Sequence, residues 1–341
     1  MNPTKTGGGP LPDGRGSEVD APEGPLPDGR GSEKEKKRPR SRDTFHCGYV
    51  SILGLPNAGK STLLNALLGT KVAIVASKPQ TTRTTIQGVV HMPKAQIILI
   101  DTPGIHKSDT LINKRMMEQV RSAAQDRDGL LYVTDATRPP HSKEAKAIDL
   151  IKSTGTPTIL VLNKVDKFEQ KGDLFERINQ FKAIHDFVEY VPISALRDDG
   201  IEDLKKTIAK HLPFGQPKFD EDYLTDQPER FLASELVREK ILRATHEEVP
   251  HAIAVVVEKW EDTPKMVRIQ ATIYVERQGQ KIIVVGKGGE MIKHIGANAR
   301  VDIEAMLEKK VYLELFVKVK ADWREDPAFL HEIDWRGMTG G

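Results

Sequence analysis

Cysteine is nearly absent from this chain of 341 residues: Cys47 stands alone, so no internal disulfide can form, and a reducing cytoplasm is the expected compartment. Cys47 lies just before an apolar strand and reads as a small buried hydrophobe rather than a nucleophile. Long apolar runs are missing too. None reaches the roughly 18 residues of a membrane span, and the N-terminus lacks the apolar core of a signal peptide. Nor is there an excess of one charge, since 51 Lys and Arg face 49 Asp and Glu for a net of +2. Any contact with nucleic acid must therefore come from local clusters. What remains is 38% hydrophobic and 29% charged, the composition of a soluble globular chain.

Residues 1–45 read as a disordered tail. The segments 9–18 and 24–33 are identical, both GPLPDGRGSE, with almost no apolar surface to offset ordering entropy. Two copies are too few for a solenoid, and a duplicated coding segment is the simpler explanation. The run 34–42 carries six basic residues and one acid, suited either to a phosphate backbone or to plain solvation. Residues 46–213 alternate apolar strands (49–53, 96–100, 130–134, 158–162, 189–193) with helical patterns such as Ile201, Leu204, Ile208 and Leu212. This predicts a doubly wound α/β domain with a mostly parallel sheet. Residues 214–228, rich in Pro, Gly and acids, read as a linker. Residues 229–341 read as a small α+β domain with a one-sided sheet and a C-terminal tail. A helix over 230–245 leads it. Val267, Ile269, Ala271, Ile273 and Val275 alternate along a strand, 278–280 form a hairpin turn, 282–285 a strand, and Val311 to Val319 alternate again.

Strand 49–53 runs into Gly54, Leu55, Pro56, Asn57, Ala58, Gly59, Lys60, Ser61 and Thr62, and an apolar helix follows. This is the P-loop in its strand–loop–helix setting. Glycines let backbone N–H groups converge on phosphate, and the helix N-terminus adds its positive end. Lys60 should reach the β- and γ-phosphates and Ser61 should bind Mg²⁺. After the next strand come Asp101, Thr102, Pro103 and Gly104, where the acid can hold Mg²⁺ through water and the Gly104 amide can meet the γ-phosphate. After 158–162 come Asn163, Lys164 and Asp166. The Asp166 carboxylate can accept both N1–H and the N2 amine of guanine, a donor pair that adenine lacks. Lys164 can lie along the base, and Asn163 can brace the loop. Ser194, Ala195 and Leu196 follow the last strand, where a backbone N–H should meet the guanine O6. Their order, each at a strand's C-terminal end, points to GTP rather than to ordinary loops.

In the second domain, Gly286, Lys287, Gly288 and Gly289 form a GxxG sequence, expected between a strand and a helix. Such a loop clamps the backbone of single-stranded RNA in KH domains. Lys287 and Lys293 add charge, flanked by Lys281, His294 and Arg300.

These features resemble the Era family of translation-factor-related GTPases over about residues 46–335. The residues that carry the likeness are the Pro56-Asn57 pair, Lys78 to Arg83, Asp101 to His106, and the stretch 286–296. The resemblance implies a GTPase acting in small-subunit assembly, with a type II KH domain bound near the 3′ end of small-subunit ribosomal RNA. It places residues 80–83 in switch I, with Thr82 as the Mg²⁺-binding threonine and Thr81 as the alternative, and switch II after Gly104. Ile105 stands where Ras-like enzymes carry the glutamine that orients water, which implies a hydrophobic-substituted GTPase. An asparagine at position 57 implies K⁺ beside the phosphates. Lys60, Thr82, Asp101, Gly104 and Asn57 then carry hydrolysis. A monomer, cytoplasmic with peripheral association at the inner membrane, is the implied working form. The rivals are an RNA-binding scaffold with a structural nucleotide site, opposed by Lys60, Ser61, Thr82 and Asp101 and kept open by Ile105, and a tRNA-modification GTPase, disfavoured by the GxxG domain.

Overall fold

A computed structural model describes residues 44–78, 80–105 and 110–334; the duplicated segments, the basic run and His106 lie outside the described residues. The first set of elements is β1 (His46–Leu53), α1 (Lys60–Leu68), β2 (Ile86–Met92), β3 (Ala95–Asp101), α2 (Leu111–Ala124), β4 (Gly129–Asp135), α3 (Ser142–Thr154), β5 (Thr158–Asn163), α4 (Lys171–Lys182), β6 (Glu189–Pro192) and α5 (Ile201–His211). The sheet order is β2-β3-β1-β4-β5-β6, parallel except for β2, which runs antiparallel to β3. The apolar strands are buried on both faces. Val50, Ile52, Leu131 and Val133 pack toward α1 and α5, while Leu53, Leu130, Tyr132 and Leu160 pack toward α2 and α3. Strand β2 escapes the sequence pattern because Gly88 and His91 interrupt its apolar run and it lies at the sheet's edge.

Residues 213–226 run along this sheet rather than away from it. The Cys47 amide donates to Pro213, the Gly215 amide to Phe45 and the Val89 amide to Leu224. Gln96, only 1% exposed, fastens the segment: Oε1 accepts from the Lys218 and Phe219 amides at 2.7 and 3.1 Å, and Nε2 donates to the Phe219 carbonyl at 2.8 Å.

The second set comprises α6 (Glu229–Ala244), β7 (Ala254–Asp262), β8 (Met266–Val275), α7 (Gln278–Val285), α8 (Glu290–Leu307), β9 (Lys310–Val319) and α9 (Pro327–Glu332). Its sheet order is β7-β8-β9, with β7 antiparallel and β9 parallel to β8. Helices α6 and α8 cover one face through Ile241, Val237, Ile295, Ala299 and Ile303.

Two expectations are corrected here. Residues 278–285 form a helix, not a hairpin turn and strand. The cause is local: Gln280 turns back to accept from the Glu276 and Arg277 amides at 2.9 and 3.0 Å, capping the helix, while Gln280 and Val284 point inward one turn apart. The GxxG sequence therefore lies between two helices. The sheet is also not one-sided. Ala254 and Val256 of β7 pack on their other face against Trp323, Phe329 and Leu330, and against Ile112 and Met116 of α2. Alternation along β8 could not reveal this, because the covering residues come from the far end of the chain and from the first domain.

Gln96→Ala strands three backbone groups of the 213–226 segment. We expect a loss of about 2–4 kcal/mol in urea denaturation, with earlier proteolysis within 213–226. Unchanged stability would show that the segment is held elsewhere.

Candidate active site and nucleic-acid interface

The loop from β1 to α1 turns tightly because its geometry admits little else. Gly59 has φ +96°, and a Cβ there would lie 2.2 Å from Asn163 Nδ2. Lys60 opens α1 and folds back, 7% exposed, so that Nζ donates to the Gly54 and Leu55 carbonyls at 3.1 Å each. Ser61 faces the end of β3. Its Oγ donates to Asp101 Oδ2 at 2.9 Å and lies 2.6 Å from Thr82 Oγ1, which is itself 3.3 Å from the same carboxylate oxygen. Asp101 is fully buried, and its other oxygen, Oδ1, has no hydrogen-bond partner. The two neighbouring threonines point apart: the Thr81 hydroxyl turns back to the Lys78 carbonyl at 2.7 Å, and Thr82 is the one that joins the cluster.

Burial sets the electrostatics. It pushes the Asp101 carboxyl up to about 6, opposed by Lys60 and by hydrogen bonds from Ser61, Thr82 and the Thr102 amide. It also pulls Lys60 down to about 8, opposed by Asp101. Both charged forms lack solvation, so the site favours a ligand that brings compensating charge.

Around this cluster lies a cavity of about 360 Å³, lined among others by Asn57, Thr62, Val75, Gly104, Lys164, Asp166 and Leu196. Gly104 sits against Pro56, where a Cβ would lie 2.9 Å from the proline Cα. Thr102 instead ties its hydroxyl to the Ile52 carbonyl at 2.8 Å and stays buried, with Pro103 leading the chain on to Gly104. Ile105 packs into the apolar cluster behind the sheet and offers no polar group to the cavity. At the far end, Asn163 Nδ2 donates to the Ala58 carbonyl at 2.9 Å and so braces the two loops together. Lys164 Nζ reaches the Asn57 carbonyl and Asp135 Oδ2, both at 2.7 Å. Ser194 Oγ donates to Asp166 Oδ1 at 2.6 Å, aiming that carboxylate.

The Ala195 amide donates to Asn163 Oδ1 at 3.0 Å, because that buried oxygen needs donors. Exposed Leu196 is the residue of that loop that borders the cavity. Two contributors escape the sequence reading. Asp135 could have been found as an acid ending strand β4, like Asp101 ending β3. The wall formed by residues 74–77 carries no motif.

In the second domain, Gly286 caps α7 with φ +74°, and a Cβ would meet Met291 Cβ at 2.6 Å. Gly288 and Gly289 face open space, so their backbone is accessible. Lys293, Arg300, Ile292, Tyr312 and Leu315 line a groove of about 370 Å³ between α8 and β9. Ile282 and Ile283 of α7 are also exposed, hidden from the sequence reading by the strand expected there.

Residues 49–164 match the family described as 50S ribosome-binding GTPase, and 248–324 match the KH domain family. The GTPase Era of Geobacter metallireducens is 48% identical over 297 residues, spanning 86% of this chain and 99% of that protein. The chain belongs to the GTPase Era family. The Era of Geotalea uraniireducens is 46% identical, over 85% of this chain and 98% of its own. A crystal structure of Era in complex with MgGDPNP and nucleotides 1506–1542 of 16S ribosomal RNA superposes with a TM-score of 0.83 at 41% identity, covering 85% of this chain and 99% of that one. An Aquifex aeolicus Era variant bound to GDP and AlF4⁻ gives the same values.

The Asp101 shift carries a pH signature in the nucleotide-free protein. Its folded value lies above the ordinary 3.8, at about 6, so between these the folded state holds a proton that the unfolded chain has released. Its contribution to stability therefore falls as pH rises through that window. The stability of the wild type minus that of Asp101→Asn should drop by about 1–3 kcal/mol from about pH 4 to pH 7, read by urea denaturation. A difference that stays flat overturns the burial argument.

Proposed function

We propose that this chain is a GTP-hydrolysing switch that binds the 3′ region of small-subunit ribosomal RNA through its KH domain and assists assembly of the 30S subunit. The observation that carries the enzymatic reading is the convergence of Lys60, Ser61, Thr82 and Asp101 at one end of a cavity whose other end holds Asp166. Guanine specificity follows from Asp166, whose carboxylate is held by Ser194 and accepts paired N–H donors. Gly54, Pro56, Ala58, Gly59 and Thr62 shape the phosphate loop. Lys60 exchanges its carbonyl partners for phosphate oxygens, and the α1 N-terminus adds its positive end.

Ser61, Thr82 and Asp101 would hold Mg²⁺. The partnerless Asp101 Oδ1 fits this, as does a donor set of one carboxylate and two hydroxyls, because Mg²⁺ keeps several waters and takes few protein ligands. When bound, the ion neutralises phosphate charge. Ile105 supplies no hydrogen bond to water, so charge stabilisation must come from elsewhere. Asn57, exposed at the cavity rim, offers a neutral amide oxygen suited to K⁺. The Gly104 amide serves the γ-phosphate. On the RNA side, Gly286, Lys287, Gly288 and Gly289 clamp the backbone, and Lys293 with the α8–β9 groove receives bases. A cytoplasmic monomer, with peripheral association at the inner membrane, completes the proposal by family likeness.

Changing Lys287 and Gly288 together to Asp should weaken binding of a ribosomal RNA 3′-end oligonucleotide by about 100-fold or more while GTP affinity holds. A paired titration of one preparation reads both. Undiminished RNA affinity would remove the clamp from this loop. Hydrolysis should run several-fold faster in KCl than in NaCl at equal ionic strength, and Asn57→Ala should abolish the difference. Phosphate release that is equal in both salts from an active enzyme would reject K⁺.

A further inference from the structure

The segment carrying Thr82 is held largely from the second domain. Arg238 of α6 is 1% exposed, and its guanidinium donates to the backbone carbonyl of Thr81 and, at 3.5 Å, to that of Gln80. The fork is itself oriented by Glu235, which accepts from Nε at 2.7 Å and from Nη2 at 2.6 Å. Gln80 adopts a left-handed backbone, φ +63°, a conformation that a side chain with a Cβ holds only under external constraint. Its Nε2 donates to Asn113 Oδ1 at 3.0 Å. Thr81 is thus pinned through its carbonyl by Arg238 and through its hydroxyl by Lys78, and the next residue presents its hydroxyl to Ser61 and Asp101.

The same helix grips the strand of chain leading in. Glu239, fully buried, accepts from the Val75 amide at 2.9 Å and from Lys71 Nζ at 2.7 Å. Lys71 also meets Asp302 of α8 at 3.0 Å.

We propose that Arg238 is a positioning residue for GTP hydrolysis: from the KH-side helix it fixes the carbonyls of residues 80 and 81, so that the Thr82 hydroxyl stands at Ser61 and Asp101. This rests on the GTPase reading above. Arg238 does not itself line the cavity; it touches only the backbone of Gln80 and Thr81, which do. It acts through the backbone, and a planar guanidinium is what allows one side chain to serve two carbonyls and a carboxylate together. Thr82 matters when a γ-phosphate and its ion are present, since it is the γ-phosphate that orders such segments. Losing Arg238 should therefore affect turnover and leave diphosphate binding alone.

The test uses the full chain. In Arg238→Met, kcat should fall about tenfold or more, with KM for GTP and affinity for GDP within about twofold, because small misplacements act on the chemical step. Arg238→Lys, with its charge but no fork, should recover part of kcat. In the nucleotide-free protein, amide exchange at residues 80–82 should quicken about tenfold in Arg238→Met and less in Arg238→Lys. If Arg238→Met does not fold, the intermediate fall in kcat and the exchange of Arg238→Lys decide. Unchanged kcat, unchanged exchange, or a parallel loss of kcat and GDP affinity overturns the proposal. A wild-type chain that releases no phosphate overturns the GTPase reading instead, so the two failures are separable.

Discussion

The Asp101 carboxylate is buried at the end of β3 without a full set of partners, and much of the nucleotide site is arranged around that deficit. One oxygen takes the hydroxyls of Ser61 and Thr82, which brings α1 and the 76–83 segment to the same point. The other has none. Lys60 shares the desolvation on the cationic side and satisfies itself on the loop's own carbonyls. The charges are individually costly where they stand and are complementary to a phosphate with its divalent ion. The site is preorganised at the expense of local stability, and the apolar packing above and below the sheet supplies what is lost there.

From this point constraint spreads in two directions. Toward Asp166, Asn163 ties the Ala58 carbonyl to the Ala195 amide, so one side chain joins the 54–61 loop to the loops that follow β5 and β6. Toward the second domain, Arg238 and Glu239 hold the backbone on either side of residues 76–78, and Arg83 extends the other way to donate to the Ile253 carbonyl at 2.6 Å. Ile112 and Met116 of α2 complete this junction against β7 and Trp323. Lys71, bridging Glu239 and Asp302, joins the junction to α8, the helix that starts at the GxxG sequence. The two domains are therefore joined through the ion pairs of Lys71, the buried Arg238 and Glu239, and packed side chains rather than through a free hinge.

Most of the nucleotide site was legible because each of its motifs is local: strand, glycine loop and helix are adjacent in sequence, and the chemistry of Lys60, Ser61, Asp101 and Asp166 follows from residue type at a strand's end. The GxxG sequence was legible for the same reason. Its setting was misread, since a run of Ile and Val at 282–285 favours a strand by composition, and only the Gln280 cap with a sheet already complete in three strands makes it a helix. Residues 214–228 read as a linker because the hydrogen bonds of the 213–226 segment go to Gln96, Phe45 and Val89, which are far away in sequence.

Sequence by itself determined the α/β class, the strand ends at which Lys60, Asp101 and Asp166 stand, and the glycine loop of the second domain, all properties of contiguous residues. Tertiary structure decided which threonine faces Asp101, which acceptor the Ala195 amide takes, and that an arginine from the second domain holds the backbone of residues 80 and 81 of the first. Those choices depend on rotation of single bonds and on partners separated by up to 158 residues, as between Arg238 and Gln80, and no local pattern encodes them.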